Sequence, residues 1–252
     1  METINGEWYM KGCDRNDPAC LHSPEELCAC VSEMGFLPLF SNCIPGFSVE
    51  ERTPADAWWT GDPASDPWEW RIILAARDDI AYGKFFDQKA GFAARSWFPA
   101  FANYRRNGYD FDALYDDGLA SHRAKKVMDS LSPDDGMRGL ELPTFELREL
   151  AGFGKGGEKN FPGVLTELQM QTYLIMSGFY RRRNRRGESY GWHIAVMATP
   201  ETKWGYELVS SCYGEAPEAS WDRIRAHLAG RFPAAEEAQL RRVMGIRRPG
   251  VR

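Results

Sequence analysis

The order of apolar patterning between residues 119 and 197 constrains the fold of this chain more than any other feature. Leu119, Ala120, Ala124, Val127, Met128 and Leu131 recur at helical spacing, and Ser132-Pro133-Asp134-Asp135-Gly136 stops the run. A second helical pattern begins near Thr144, sets Leu147, Leu150 and Ala151 on one face, and ends at Gly152-Phe153-Gly154-Lys155-Gly156-Gly157. A short third helix carries Phe161, Val164, Leu165 and Leu168 at i, i+3, i+4 and i+7. The period then drops to two. Residues 171–182 and 189–197 read as strands around Arg183-Asn184-Arg185-Arg186-Gly187, where asparagine and glycine favour a tight turn.

Helix, helix, short helix and hairpin is the order of a winged-helix module. The predicted class is therefore α+β: a central winged helix, packed with an aromatic-rich N-terminal α/β part and C-terminal helices. The expected division is a loose tail over 1–20, an α+β part over 21–116, the winged helix over 117–200, and a C-terminal helical part over 201–252. In the N-terminal part, Ser23-Pro24-Glu25-Glu26 opens a helix with Leu27, Val31 and Met34 inward and Gly35 as its stop. Residues 45–70 read as an aromatic loop, and strands are predicted over 71–76 and 80–86 around Arg77-Asp78-Asp79. Residues 96–116 read as a further aromatic helix-and-loop segment. Two helices follow near the end. One covers 220–228 with Trp221, Ile224 and Leu228 inward; the other covers 233–244 and stops at Gly245.

Charge bears on partners. Over 252 residues, 31 basic against 36 acidic side chains give a net charge of −5, which argues against a uniformly basic nucleic-acid coat. The total hides a split, because residues 1–150 carry −11 and residues 151–252 carry +6. Residues 1–20 are polar, and the apolar run Ile72-Ile73-Leu74-Ala75-Ala76 is far too short to span a bilayer. The expected setting is cytoplasmic, without membrane contact. Cys13, Cys20, Cys28, Cys30 and Cys43 crowd the N-terminal part, but Cys28-Ala29-Cys30 lacks zinc-ligand spacing. Free, partly buried thiols are expected, with no metal and no other cofactor.

Arg181, Arg182, Arg183, Arg185 and Arg186 are the foremost candidates for binding. Guanidinium forks match phosphate oxygens, and a hairpin can lay them along a nucleic-acid backbone. The bland alternative is a solvated turn. The glycine-rich loop follows a helix, so it is no dinucleotide fingerprint; its N–H groups, with Lys155 and Lys159, could still touch a DNA phosphate. Arg241-Arg242 and Arg247-Arg248 could extend the same surface.

Gln169-Met170-Gln171 falls at the junction of the third helix and the first strand. If it is extended, both amides project on one face, with Cα atoms about 6.5–7 Å apart. Paired amides can hold and orient a water but cannot act as acid or base near neutral pH. They suit a reaction whose leaving group is already activated, such as an N-alkylated purine, with the amide oxygens stabilising the developing sugar cation. The alternative is two polar residues at a strand start. Trp58, Trp59, Trp68 and Trp70 could stack a flipped base or simply form core. Asp110, Asp112, Asp116 and Asp117 could pair as acid and base or make a solvated loop. His22, His122, His193 and His227 show no metal spacing.

The span Thr166-Glu167-Leu168-Gln169-Met170-Gln171-Thr172-Tyr173 resembles the glutamine–apolar–glutamine motif of the winged-helix DNA glycosylases of the AlkZ type. Over roughly residues 35–230 the chain resembles the bacterial AlkZ-related group. The likeness runs through Gly35-Phe36-Leu37-Pro38-Leu39-Phe40, Trp58-Trp59-Thr60-Gly61-Asp62-Pro63, Trp68-Glu69-Trp70-Arg71 and Tyr82-Gly83-Lys84-Phe85-Phe86. It continues in Asn103-Tyr104-Arg105-Arg106, Gly152-Phe153-Gly154-Lys155-Gly156 and Tyr190-Gly191-Trp192. AlkZ-type enzymes excise alkylated bases, and some unhook interstrand crosslinks, with the glutamine pair around a water. The resemblance thus implies DNA repair, alkylated duplex DNA as partner, and Gln169 and Gln171 as catalytic residues for N-glycosidic hydrolysis. The tandem winged-helix array that encircles DNA in those enzymes is not identifiable here, so two alternatives stay open. One is a non-enzymatic DNA-binding regulator or repair accessory. The other is a protein-interaction module whose acidic N-terminal half meets a basic partner.

Overall fold

Where the sequence predicts a loose tail with free thiols, strand β1 (Glu2–Ile4) pairs antiparallel with β2 (Glu7–Tyr9), and Cys13 is disulfide-bonded to Cys20. Cys28, Cys30, Cys43 and Cys212 are free. The computed structural model describes residues 2–4, 7–132 and 139–245. The helix stop expected at Pro133-Asp134-Asp135-Gly136 and the tail arginines Arg247 and Arg248 lie outside the described residues.

Helix α1 (Pro24–Met34) forms as its caps require. Ser23 Oγ accepts from the Glu26 amide at 3.1 Å, Pro24 opens the helix, and Gly35 closes it at φ +75°. Strand β3 (Phe36–Pro38) follows, then a loop with two 3₁₀ turns, then α2 (Pro67–Ala75). This helix replaces the strand predicted over 71–76. Asp66 caps it, accepting from the Trp68 amide at 2.8 Å, and Trp70, Leu74 and Ala75 turn inward at helical spacing. A short apolar run reads the same in either state, so the cap decides. Strand β4 (Ile80–Phe86) pairs with β5 (Lys89–Ala94) through Asp87 and Gln88, both at positive φ. Next come α3 (Phe98–Arg106), α4 (Phe111–Asp116), α5 (His122–Leu131), β6 (Leu142–Pro143), α6 (Thr144–Leu150) and α7 (Phe161–Met170). The chain continues with β7 (Ile175–Arg183), β8 (Ser189–Ala198), α8 (Pro200–Trp204), α9 (Tyr206–Val209), α10 (Pro217–Arg231) and α11 (Glu237–Met244). Among the described residues, no helix is long and apolar enough to cross a membrane.

The main sheet is antiparallel throughout, in the order β3-β5-β4-β7-β8-β6. The architecture is therefore α+β. One core gathers Leu27, Phe36, Trp70, Phe85, Phe101 and Trp221; a second gathers Phe111, Val127, Leu131, Leu147, Leu168 and Tyr173. The pairing of Tyr82 with Met176 carries the sheet from one core to the other.

Two buried arginines at the end of α3 tie the cores together. Arg105 donates to the carbonyls of Met170, Phe85 and Met244, with its guanidinium 4.4 Å from the centre of the Phe101 ring. Burial pulls its pKa down to about 9, so it stays cationic at neutral pH, facing carbonyl dipoles. Arg106 donates to the Thr172 carbonyl, the Glu201 carboxylate and the Tyr213 hydroxyl.

Lys203 closes the gap between α2 and β4, donating to the carbonyls of Ala75 at 3.0 Å and Ile80 at 2.8 Å. Burial pulls its pKa down to about 8. The unfolded lysine keeps its proton to about 10.4, so between these values the unfolded state binds more protons and stability rises with pH. Other groups titrate in the same range, so the reading is a difference: between about pH 7 and about pH 9.5 the midpoint of thermal unfolding of the wild type should rise relative to that of Lys203→Met.

Candidate nucleic-acid interface

The hairpin of β7 and β8 is half-buried at its base and exposed on every residue from Arg181 to Trp192. At about 3.3 Å per residue, that part is roughly 10–13 Å long from Arg181 to the tip. Asn184 organises the tip. Its Oδ1 accepts from the amides of Arg186 at 2.8 Å and Glu188 at 3.0 Å, and its Nδ2 donates to the Glu188 carboxylate. Gly187 adopts φ +81°, as the turn demands. Among the described residues, none of Arg181, Arg182, Arg183, Arg185 and Arg186 forms an ion pair. Five guanidinium groups are thus displayed on one projecting ribbon.

The wing does not stand alone. The Arg182 guanidinium lies 5.6 Å from the centre of the Phe145 ring, and Phe145 meets Tyr180 at 5.9 Å. Phe145, Arg148 and Lys155 in turn line a shallow depression of about 280 Å³ beside the glycine-rich loop. Arg182, Arg148 and Lys155 therefore share one surface. Lys155 and Lys159 are both exposed, but Lys159 is not among the lining residues; its carbonyl accepts from Arg123 at 3.2 Å. Arg241 pairs with Glu237, and Arg242 lies 4.0 Å from Asp87.

Sequence reasoning passed over Arg148 and Phe145, and named Trp192 only within the likeness Tyr190-Gly191-Trp192, with no role of its own. Arg148 is a lone basic residue on an ordinary helix and sends no signal. Trp192 had one: Gly191 inside an alternating strand marks a bulge. Tyr180 pairs with Ile194 and Arg182 with Tyr190, so Arg181 faces Gly191, Trp192 and His193 together. Gly191 takes φ +75°, and Trp192 is 88 % exposed.

The glutamine motif is helical rather than extended. α7 runs on through Met170, and Gln171 caps it at φ −80° and ψ −1°. The two amides therefore do not share a strand face. Gln169 is 2 % exposed; its Oε1 accepts from the Lys84 amide at 3.0 Å, and its Nε2 donates to the Leu165 carbonyl at 2.9 Å. Met170 and Thr172 present their carbonyls to Arg105 and Arg106. The segment is thus the seat of α7 on β4 and α3. Gln171 is half-buried.

Among the tryptophans, Trp58 and Trp70 are core, Trp59 is 48 % exposed, and Trp68 is covered by Arg71, whose guanidinium sits 3.8 Å from its ring centre. Asp110 accepts from the Tyr206 hydroxyl at 2.9 Å, and Asp112 and Asp116 lie on α4. Burial pushes the thiols of Cys28 and Cys30 up, so neither is poised as a thiolate.

Comparison with curated proteins and with solved structures found no match. The family described as AlkZ related matches residues 21–245, which includes the aromatic part, the helical core and the whole hairpin. The chain belongs to the AlkZ-related family.

Proposed function

We propose that this protein binds duplex DNA in a repair context, docking through the arginine hairpin as the wing of a winged-helix module over residues 117–200. The observation that carries this reading is the set of five arginines, free of ion pairs among the described residues and exposed on the hairpin, with Arg148 and Lys155 beside it. The connectivity supports the module. α5, α6 and α7 precede the hairpin, and β6, between the first two helices, pairs with β8 to complete a three-stranded unit.

In helix-turn-helix docking, the second, recognition helix enters the major groove. Here α7, the last helix before the hairpin, packs on β4 instead and leaves only Pro162 and the acid Glu167 fully exposed. Contact led by the wing and directed to phosphates follows, with little reading of base sequence. Fluorescence anisotropy of a labelled duplex across a salt series tests it: affinity falling steeply with salt supports the reading, and no binding at low salt overturns it.

Membership of the AlkZ-related family supports the repair association. The excision reading assigns Gln169 and Gln171 to N-glycosidic hydrolysis on alkylated DNA. To act so, Gln169 must exchange its bonds to the Lys84 amide and the Leu165 carbonyl for a water. Its burial favours a positioning role in seating α7, and the non-enzymatic accessory is the reading preferred here. Gln169→Ala leaves the part-buried Lys84 amide without its acceptor and should cost about 1–2 kcal/mol of stability while sparing duplex affinity. Release of N-alkylated purines by the wild type, lost in Gln169→Ala and Gln171→Ala, would restore the enzymatic reading.

A further inference from the structure

The wing also displays a flat apolar ring. Trp192 is 88 % exposed, and among the described residues its indole meets no other ring and no cation. The exposure is built in, because the bulge at Gly191, with φ +75°, places three residues opposite Arg181 and re-aims the strand. The base of the hairpin holds this display steady. Arg71, 6 % exposed, is clamped between Trp68 at 3.8 Å and Phe179 at 4.5 Å, and Phe179 meets His193 edge-on at 6.5 Å. Tyr180 and Tyr190 are exposed on the same ribbon at 41 % and 50 %, but both carry a hydroxyl, and the five cations among these rings disfavour burial in a lipid or a protein core. On a ribbon that carries five arginines, the Trp192 ring matches a nucleobase face next to phosphates.

Building on the reading that the wing binds DNA, we infer that Trp192 stacks on an exposed base, so that the preferred ligand is DNA with interrupted stacking. The argument turns on what a duplex offers. Continuous duplex shows only base edges in its grooves, and its base faces are covered by their neighbours. An indole finds an open face only where stacking is broken, at a gap, an end or a single-stranded arm. The arginines supply affinity for any phosphate backbone, and the ring adds preference for the break.

The test compares a relaxed, covalently closed DNA minicircle with the same circle carrying one short gap, by competition against a labelled duplex. The wild type should prefer the gapped circle by about tenfold, Trp192→Ala should bind both circles alike, and Trp192→Phe should keep most of the preference. Equal affinity of the wild type for both circles, or an undiminished preference in Trp192→Ala, overturns the inference. If closed-circle binding persists and falls when the arginines are neutralised, the duplex-binding reading survives that failure. If neither circle binds at low salt, both readings fall. Trp192 buries almost nothing, so the folded state of each variant, checked by circular dichroism, should match the wild type.

Discussion

Replacing Arg181, Arg182, Arg183, Arg185 and Arg186 together by glutamine should weaken duplex binding by about a hundredfold or more near physiological salt. Glutamine keeps the length and polarity of the side chains and removes only their charge. Each phosphate neutralised releases counterions, and the logarithm of affinity falls with the logarithm of salt at about −0.9 per contact. Losing five contacts should therefore flatten that slope by about 4.5. None of these arginines holds an acid among the described residues; the bond from Arg181 to the Gly191 carbonyl, at 3.4 Å, and the Arg182 contact with Phe145 are exposed, so stability should move by less than about 1 kcal/mol. Arg241 makes the internal control. It pairs with Glu237 on α11, and Arg241→Gln should leave the slope unchanged. A wing variant with the wild-type slope would remove the wing from the interface.

Local signals found much of this architecture and missed the rest for definite reasons. α1 was readable because its cap, its apolar stripe and Gly35 all agree. The wing was readable because its turn has an asparagine and a glycine where the geometry needs them. The β4–β5 hairpin was not, since Asp87 and Gln88 take left-handed backbone without the usual glycine signal. The apolar spacing ends the third helix before the glutamines, yet α7 runs through Met170 and is stopped at Thr172, which sits at φ +67°. A β-branched residue is a poor occupant of that region, so no sequence rule marks the stop. Tertiary contacts hold it there, with Arg106 bonding the Thr172 carbonyl at 2.7 Å and its hydroxyl at 3.3 Å. The extended glutamine pair thus failed on a long-range interaction from α3. The candidate site shows the same division. The arginines stand out as a run of charge, whereas Arg148 and Phe145 join them only once α6 packs beside β8.

Arg106→Leu should destabilise the protein by about 3 kcal/mol, lowering the midpoint of thermal unfolding by roughly 6–12 °C. Burial works to lower the pKa of Arg106, but Glu201 and Tyr213 outweigh it and hold the guanidinium charged. Leucine fills part of the space and removes the donor from four groups: the Thr172 carbonyl and hydroxyl, the Glu201 carboxylate and the Tyr213 hydroxyl. Water reaches Glu201, whose side chain is 26 % exposed, which keeps the loss near the lower end for a broken buried pair. Adding Glu201→Leu should recover about 1 kcal/mol or more, because the orphaned charge goes with it. The loss should also have a location. Arg106 joins α3, in the first core, to the residue that ends α7, in the second. In the variant, amide hydrogen exchange should speed up first across α5–α7 while β3–β5 stay protected. A midpoint within about 1 °C of wild type would show that the two cores are held together by something other than this arginine.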